Sequence, residues 1–163
     1  IEENLQQAIY TLRDHPNFSN QRDLSKLADK PLLLMFEDKA CDECDIFHND
    51  ILNLDETKAL LDHFTVVRLD AYSEESIADI NGQATTPKAL AAALDISYRP
   101  GVVLFDGYQE IMRIDGMLRS YHFQEILRYV GERRYRDHPV FRDYMREREQ
   151  QILSSGQDID IWK

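Results

Sequence analysis

The sequence KACDECD, residues 39–45, contains both cysteines of this 163-residue chain. Two cysteines placed at random would fall three positions apart roughly one time in eighty, so the spacing indicates chemistry. The apolar run 32–36 directly before the motif predicts a strand. A helical pattern with Phe47, Ile51 and Leu54 on one face follows it. A CxxC motif where a strand gives way to a helix is typical of a thiol–disulfide redox site.

The composition is that of a globular protein, with 43% hydrophobic and 30% charged residues. The formal net charge of −11 repels a phosphate backbone and argues against nucleic acid as a partner. The longest apolar runs are strand-sized, so we predict no membrane-embedded segment. Two cysteines alone suit a cytosolic or an exported protein. The chain opens at Ile1 without a methionine, and we expect that a signal peptide was removed.

Periodicity predicts alternating strands and helices around the motif. The strand before the cysteines, the helices after them and the next strand form a right-handed βαβ unit, with Cys41 at the active edge. The predicted elements are, in order, a helix at 2–14, a short helix around Leu24 and Leu27, strand 32–36, a helix from the cysteines to Leu54, a helix at 56–64, strand 65–70, a hairpin at 77–85, a helix at 87–94 capped by Thr85 or Thr86, strands 101–105 and 110–114, and a helix at 121–130.

A further helix is predicted to begin at Pro139 and to end at 154–156. Its apolar stripe either packs back on the domain or forms a partner-docking surface; the stripe consists of Phe141, Tyr144, Met145, Ile152 and Leu153. We predict a single α/β domain over 1–163, with a core at about 22–132, an N-terminal helix at 2–14 and a C-terminal helical extension at 133–163.

The motif and the segment ISYRPGVVLF, residues 96–105, resemble the thioredoxin superfamily. The resemblance covers roughly residues 22–132. It implies a thioredoxin fold, with a mixed central sheet flanked by helices, and makes Pro100 the cis-proline of the family. It also implies a thiol–disulfide oxidoreductase whose only redox group is the disulfide between Cys41 and Cys44, with no separate cofactor.

Within the superfamily the chain looks closest to periplasmic SoxW-like thioredoxins linked to sulfur oxidation, with similar features in the DsbC branch. The sequence features that suggest this subgroup are Leu34-x-Phe36-Glu37, Thr85-Thr86, Asp115-Gly116-x-Leu118 to His122-Phe123, and Tyr135-Arg136-x-x-Pro139-x-Phe141. The resemblance implies a periplasmic location, disulfide-containing protein substrates, and electron transfer from a membrane donor of the DsbD or CcdA type.

The chain departs from the thioredoxin pattern at two places. Trp-Cys-Gly-Pro-Cys is replaced by Ala-Cys-Asp-Glu-Cys at 40–44, and Met35 stands where thioredoxins carry a buried aspartate. Glu37, four residues before Cys41, is a candidate substitute base for Cys44, or else a solvated surface carboxylate.

The expected chemistry divides the cysteines by position. Cys41 at the helix N-terminus gains about 0.3–1 kcal/mol as a thiolate and is the predicted nucleophile, whereas Cys44 is the buried resolving thiol. Asp42 and Glu43 each oppose the thiolate by roughly a few tenths of a kcal/mol. Lys39 and Arg99 act in the opposite direction. We therefore predict a Cys41 pKa nearer to that of thioredoxin than to that of DsbA, and a reductant rather than a strong oxidant.

The segment before Pro100 forms the predicted opposite wall of the site. A cis bond exposes the backbone of Arg99 for strand-like pairing with a substrate. An ordinary trans proline at the start of a strand is the alternative.

His48 completes a Cys41-x-x-Cys44-x-x-x-His48 spacing, which suits three metal ligands, but no fourth ligand is apparent and a helix-surface histidine is commoner. We predict no metal. The sequence thus favours a thiol–disulfide oxidoreductase, most simply a protein-disulfide reductase. A non-catalytic module that uses the same fold to bind a partner or a metal is the alternative.

Overall fold

A four-stranded mixed sheet organises the chain in a computed structural model that describes residues 12–27 and 29–156. The described residues form six strands: β1 (Leu32–Glu37), β2 (Thr65–Asp70), β3 (Ile77–Ala78), β4 (Ala84–Thr85), β5 (Gly101–Asp106) and β6 (Gln109–Ile114). The four strands of the mixed sheet lie in the order β2-β1-β5-β6, and β3 and β4 form a separate two-stranded sheet. β1 pairs with β2 in parallel and with β5 in antiparallel orientation, and β5 pairs antiparallel with β6. This architecture confirms the predicted α/β fold class.

Within residues 12–27 and 29–156, five α-helices flank or extend this sheet. They are α1 (Asp42–Phe47), α2 (Asp55–Leu61), α3 (Pro87–Ala93), α4 (Ser120–Gly131) and α5 (Phe141–Ser154), with a π-helical turn at His48–Leu52 and a short 3-10 turn at Arg134–Arg136. The helix after the cysteines is therefore not regular as far as Leu54. Its last turn widens, and the Asn53 N–H donates to the His48 carbonyl at 3.1 Å.

Every residue of β1 is buried, because helices cover both faces of the sheet. Leu33 and Met35 face the core beneath α1, α2 and α4. Leu34 and Phe36 face the second core, which α3 and the β3–β4 hairpin cover. The hairpin forms as predicted, and the Thr86 hydroxyl caps α3 by accepting from the Ala89 N–H at 3.1 Å.

The predicted short helix around Leu24 and Leu27 is wrong. The carboxylate of Asp23 accepts from both the N–H and the hydroxyl of Ser25, so a local turn replaces the first helical turn. Leu24 is nevertheless buried, because its N–H donates to the Ala78 carbonyl and fastens the segment to β3.

Most of the predicted N-terminal helix 2–14 lies outside the described residues. Its last three residues, 12–14, are described and are not helical. The predicted extension 133–163 is described as far as residue 156.

Helix α5 packs against α4, which confirms the interpretation that its apolar stripe folds back. The rings of Tyr144 and Tyr129 lie 5.0 Å apart between centroids, and Tyr144 and Ile152 are buried. Glu125 of α4 is also buried and accepts a hydrogen bond from the Tyr144 hydroxyl at 3.0 Å. Leu153, at the outer edge of the stripe, remains exposed.

Candidate active site

The two cysteines form a disulfide at the start of α1, with their Cα atoms 5.2 Å apart. Cys41 is the N-cap of the helix, and its Sγ accepts from the Cys44 N–H at 3.0 Å. Cys41 is half-buried, whereas only 4% of Cys44 is exposed. A partner can therefore approach Cys41 far more easily than Cys44.

Glu37 is buried, with 2% of its surface exposed, so the expectation of a solvated surface carboxylate is wrong. Each of its two carboxylate oxygens lies 3.0 Å from Nε2 of His48. One of these oxygens also accepts from Arg68 of β2 at 2.9 Å. These three side chains, the Glu37 cluster, are close together because β1, β2 and the π-helical turn meet beneath α1.

His48 is 1% exposed, so the expectation of a helix-surface histidine is also wrong. It follows Cys44 by one helical turn, and both side chains are on the buried face of the helix. An imidazole has two ring nitrogens that can donate or accept a proton, and this one is in contact with a buried carboxylate. The structure thus gives His48 a position suited to proton chemistry.

Further contacts surround the Glu37 cluster. Arg68 donates to the Arg13 carbonyl at 2.6 Å, and its guanidinium lies 4.7 Å above the ring centre of Phe18. His15, whose ring centre lies 6.5 Å from that of His48, accepts from the Asn17 N–H through Nδ1 and donates through Nε2 to the Leu52 carbonyl at 2.8 Å. Burial lowers the pKa of His15, which favours the neutral form of this second imidazole.

The Arg99–Pro100 peptide bond is cis. Pro100 is buried, and the Arg99 guanidinium lies 3.7 Å from the carboxylate of Asp38, which follows β1 directly. Arg99 also donates to the carbonyls of Ile96 and Tyr98 in its own loop. Its charge is therefore shared with Asp38 and the loop backbone, beside the start of α1.

Asp42 and Glu43, between the cysteines, are both exposed. Glu43 accepts a hydrogen bond from the Tyr98 hydroxyl, and this bond, with burial and the carboxylate charge, raises the pKa of Tyr98. Tyr98 thus links the CxxC motif to the loop before Pro100. Asp42 has no such anchor to the loop, so the two carboxylates of the motif are in different environments.

Sequence reasoning missed Tyr98 and Arg68. Tyr98 lies two residues before Pro100, in a segment for which the sequence predicted roles only for Arg99 and Pro100. Arg68 is the single basic residue of the strand TVVRLD and lies between the apolar residues Val67 and Leu69, and that position was a usable signal for a buried charge partner.

Within the described ranges 12–27 and 29–156, no group of three or more histidine, cysteine, aspartate or glutamate side chains is arranged to hold a metal ion. No helix in that part of the chain is long and apolar enough to cross a membrane.

A mixed sheet with a CxxC disulfide at the strand–helix junction and a facing proline loop defines a thiol–disulfide oxidoreductase. A family model described as a thioredoxin-like domain matches residues 18–131, and the chain belongs to this family within the thioredoxin superfamily. No curated protein sequence matches the chain.

Solved structures support the fold. A thioredoxin-fold protein from Helicobacter pylori is 22% identical, with a TM-score of 0.65 over 80% of this chain and 86% of that one. A thioredoxin from Thermus thermophilus is 20% identical, with a TM-score of 0.51 over 62% of this chain and 73% of that one. The DsbH oxidoreductase is 18% identical, with a TM-score of 0.51 over 74% and 92% of the two chains.

Proposed function

We propose that this protein is a protein-disulfide reductase. The observation that carries the proposal is the asymmetry of the cysteine pair, with Cys41 half-buried at the helix N-terminus and Cys44 buried one turn inside. A reductase needs one thiol that a bulky partner can reach and a second thiol that is protected from that partner.

The reaction begins with the dithiol form. The Cys41 thiolate attacks one sulfur of a substrate disulfide, a mixed disulfide forms, and the other substrate sulfur leaves as a thiolate. Cys44 then loses its proton and attacks Cys41, which releases the second substrate thiolate and forms the Cys41–Cys44 disulfide. Two electrons pass from the protein to the substrate, and two protons balance the two thiols that form.

Glu37, with His48 hydrogen-bonded to it, accepts the proton that Cys44 releases. The proposal is supported by the burial of both side chains, by their contact at 3.0 Å and by the position of His48 one turn after Cys44. Arg68 maintains the negative charge of Glu37 in an apolar environment, where an unpaired carboxylate would be costly. Glu37 thereby takes the role of the buried aspartate that thioredoxins carry at the position of Met35.

The charges around Cys41 support the proposed direction of electron flow. Asp42, Glu43 and Asp45 are exposed acidic residues in the first turn of α1, and each disfavours the thiolate that the helix N-terminus stabilises. The nearby cation Arg99 is partly neutralised by Asp38. A thiolate that is weakly stabilised makes the dithiol form a good electron donor.

We also propose a cellular location, a class of substrate and an electron donor for this reductase. The SoxW-like sequence features support an exported, periplasmic protein that acts on disulfide-containing proteins in sulfur oxidation. A membrane electron donor of the DsbD or CcdA type then regenerates the dithiol.

The reduction of insulin with dithiothreitol as electron source tests the reductase. We expect turbidity from the released B chain with the wild-type protein, and no acceleration over dithiothreitol alone with Cys41→Ser. The variant Leu153→Ser, which alters an exposed residue of α5, serves as control and retains activity. If the folded wild-type protein does not accelerate the reaction, the reductase proposal fails, and an inactive protein that binds a metal would support the alternative of a binding module.

A further inference from the structure

An open groove extends along the outer side of α1, between this helix and the segment that leads into α4. It has a volume of about 330 Å³ and is lined by Ile46, Asp50, Ile51, Met117, Leu118, Arg119 and Ser120. Ile46 is 48% exposed and Met117 is 42% exposed, so two large apolar side chains on facing walls are open to solvent. Exposed apolar side chains that face each other across a groove are typical of a surface that binds a partner.

Tyr98 connects this groove to the redox site. The Glu43 carboxylate, inside the CxxC motif, raises the pKa of the Tyr98 hydroxyl, whereas the backbone of Met117, at the groove, acts in the opposite direction. The Tyr98 side chain therefore interacts with both the motif and the segment that begins at Met117. A polypeptide whose disulfide contacts Cys41 is placed to continue into the groove.

The helical wall of the groove is strongly acidic. Between Asp42 and Leu52 the sequence has four carboxylates and no lysine or arginine; the carboxylates are Asp42, Glu43, Asp45 and Asp50, all exposed. Asp50 lines the groove itself, one helical turn after Ile46. Arg119 lies on the opposite wall, so the negative field is strongest along α1.

We propose that this groove binds a segment of the substrate that carries both basic and apolar residues next to its reactive disulfide. The proposal rests on the proposed reductase function and specifies its substrate class. Apolar side chains of the segment contact Ile46 and Met117, and a lysine or arginine pairs with Asp50. The charge complementarity also steers encounter, because a field of one sign raises the association rate of oppositely charged partners.

The test uses the reduced full-length protein and three cyclic cystine peptides that differ only beside the disulfide: Lys-Leu, Glu-Leu and Lys-Ser. Stopped-flow measurements give the second-order rate constant for the oxidation of the protein by each peptide, at low and high ionic strength. A small aromatic disulfide, which does not reach the groove, reports whether the dithiol reacts at all.

At low ionic strength we expect the Lys-Leu peptide to react about tenfold faster than the Glu-Leu peptide, and this ratio to fall towards one as salt screens the charges. Asp50→Asn lowers the Lys-Leu to Glu-Leu ratio, and Ile46→Ser lowers the Lys-Leu to Lys-Ser ratio. The matched controls Asp143→Asn and Leu153→Ser, both on α5, leave both ratios unchanged.

Equal rates for the three peptides, with normal reaction of the small disulfide, overturn the groove proposal and leave the reductase intact. Ratios that Asp50→Asn and Ile46→Ser do not alter overturn it as well, because the preference then originates elsewhere. A concentration-dependent dimer that loses its self-association in Ile46→Ser assigns the groove to a second copy and overturns the proposal. Absence of reaction with the small disulfide contradicts the proposed reductase itself.

Discussion

Two buried glutamates, Glu37 and Glu125, show how the same residue serves different purposes at two places in the fold. Both side chains are almost fully buried, and an arginine pairs with each of them. The second partner differs: Glu37 contacts a histidine, whereas Glu125 accepts from the Tyr144 hydroxyl and pairs with a second arginine, Arg148.

The difference between the partners indicates the difference in role. A tyrosine with a raised pKa keeps its proton at any physiological pH, and burial together with the Glu125 charge raises the pKa of Tyr144. The Glu125 cluster, which consists of Glu125, Arg128, Tyr144 and Arg148, is thus a static anchor for α5. In the Glu37 cluster the second partner is an imidazole instead of a phenol, and this imidazole follows the buried Cys44 by one helical turn. We infer that only the Glu37 cluster takes part in chemistry.

The variant Glu37→Gln gives the largest effect expected from this comparison. It keeps the shape of the side chain but removes the charge that receives the Cys44 proton. We expect the release of substrate from the mixed disulfide to slow about 100-fold near neutral pH, within the range for a lost general base. Rapid-quench trapping of the mixed disulfide measures this step. A release rate equal to that of wild type, in protein that circular dichroism shows to be folded, would exclude Glu37 from the reaction.

Glu125→Gln is the matched change in the other cluster. It leaves two arginines against a neutral side chain in a buried environment, and we expect a loss of about 2 kcal/mol in the free energy of unfolding. Urea denaturation followed by circular dichroism measures the loss. The rate of disulfide exchange per folded molecule stays unchanged; a fall of tenfold or more would show that the two clusters are not separate.

Tyr144→Phe removes one hydrogen bond to Glu125 and costs about 1 kcal/mol of stability. It also changes the alkaline limb of the stability curve. Because the pKa of Tyr144 is raised above its ordinary value of 10.0, the unfolded chain releases this proton first, and wild-type stability falls as pH rises past that value. The variant lacks this component, so its stability falls less steeply between pH values of about 10 and 11. An unchanged slope would contradict the assignment.

The smallest expected effect on stability comes from His15, which lies at the edge of the Glu37 cluster. Burial lowers its pKa below the ordinary value of 6.5, so the unfolded chain binds more protons than the native state below that pH. Stability therefore falls as pH decreases through this range. In His15→Gln the difference in unfolding free energy between neutral and mildly acidic pH becomes smaller. If the difference is unaltered, His15 is not the group responsible.

The sequence predicted what depends on local pattern. The apolar run of β1, the CxxC motif at its end, the β3–β4 hairpin and the start of α3 at Pro87 each follow from adjacent residues. The packing of α5 on α4 follows from a stripe at helical spacing. These features determine the fold class and the position of the disulfide.

What depends on distant partners could not be predicted. The sequence around Glu37 fits both a surface carboxylate and a buried one, because the residues that contact it, His48 and Arg68, come from two other elements. His48 appeared as a metal candidate or a surface residue for the same reason. A turn forms at Asp23 instead of the predicted helix because its carboxylate accepts hydrogen bonds from nearby donors. The spacing of apolar residues, on which the helix prediction was based, contains no information about these hydrogen bonds.

The reduction potential of the Cys41–Cys44 pair tests the central claim most directly. Equilibration of the protein with defined mixtures of reduced and oxidised dithiothreitol, followed by alkylation of free thiols, gives the value. We expect a potential near that of thioredoxin, about −270 mV, because the carboxylates at 42, 43 and 45 disfavour the Cys41 thiolate. A potential near that of DsbA, about −120 mV, would contradict the account and make the protein an oxidant.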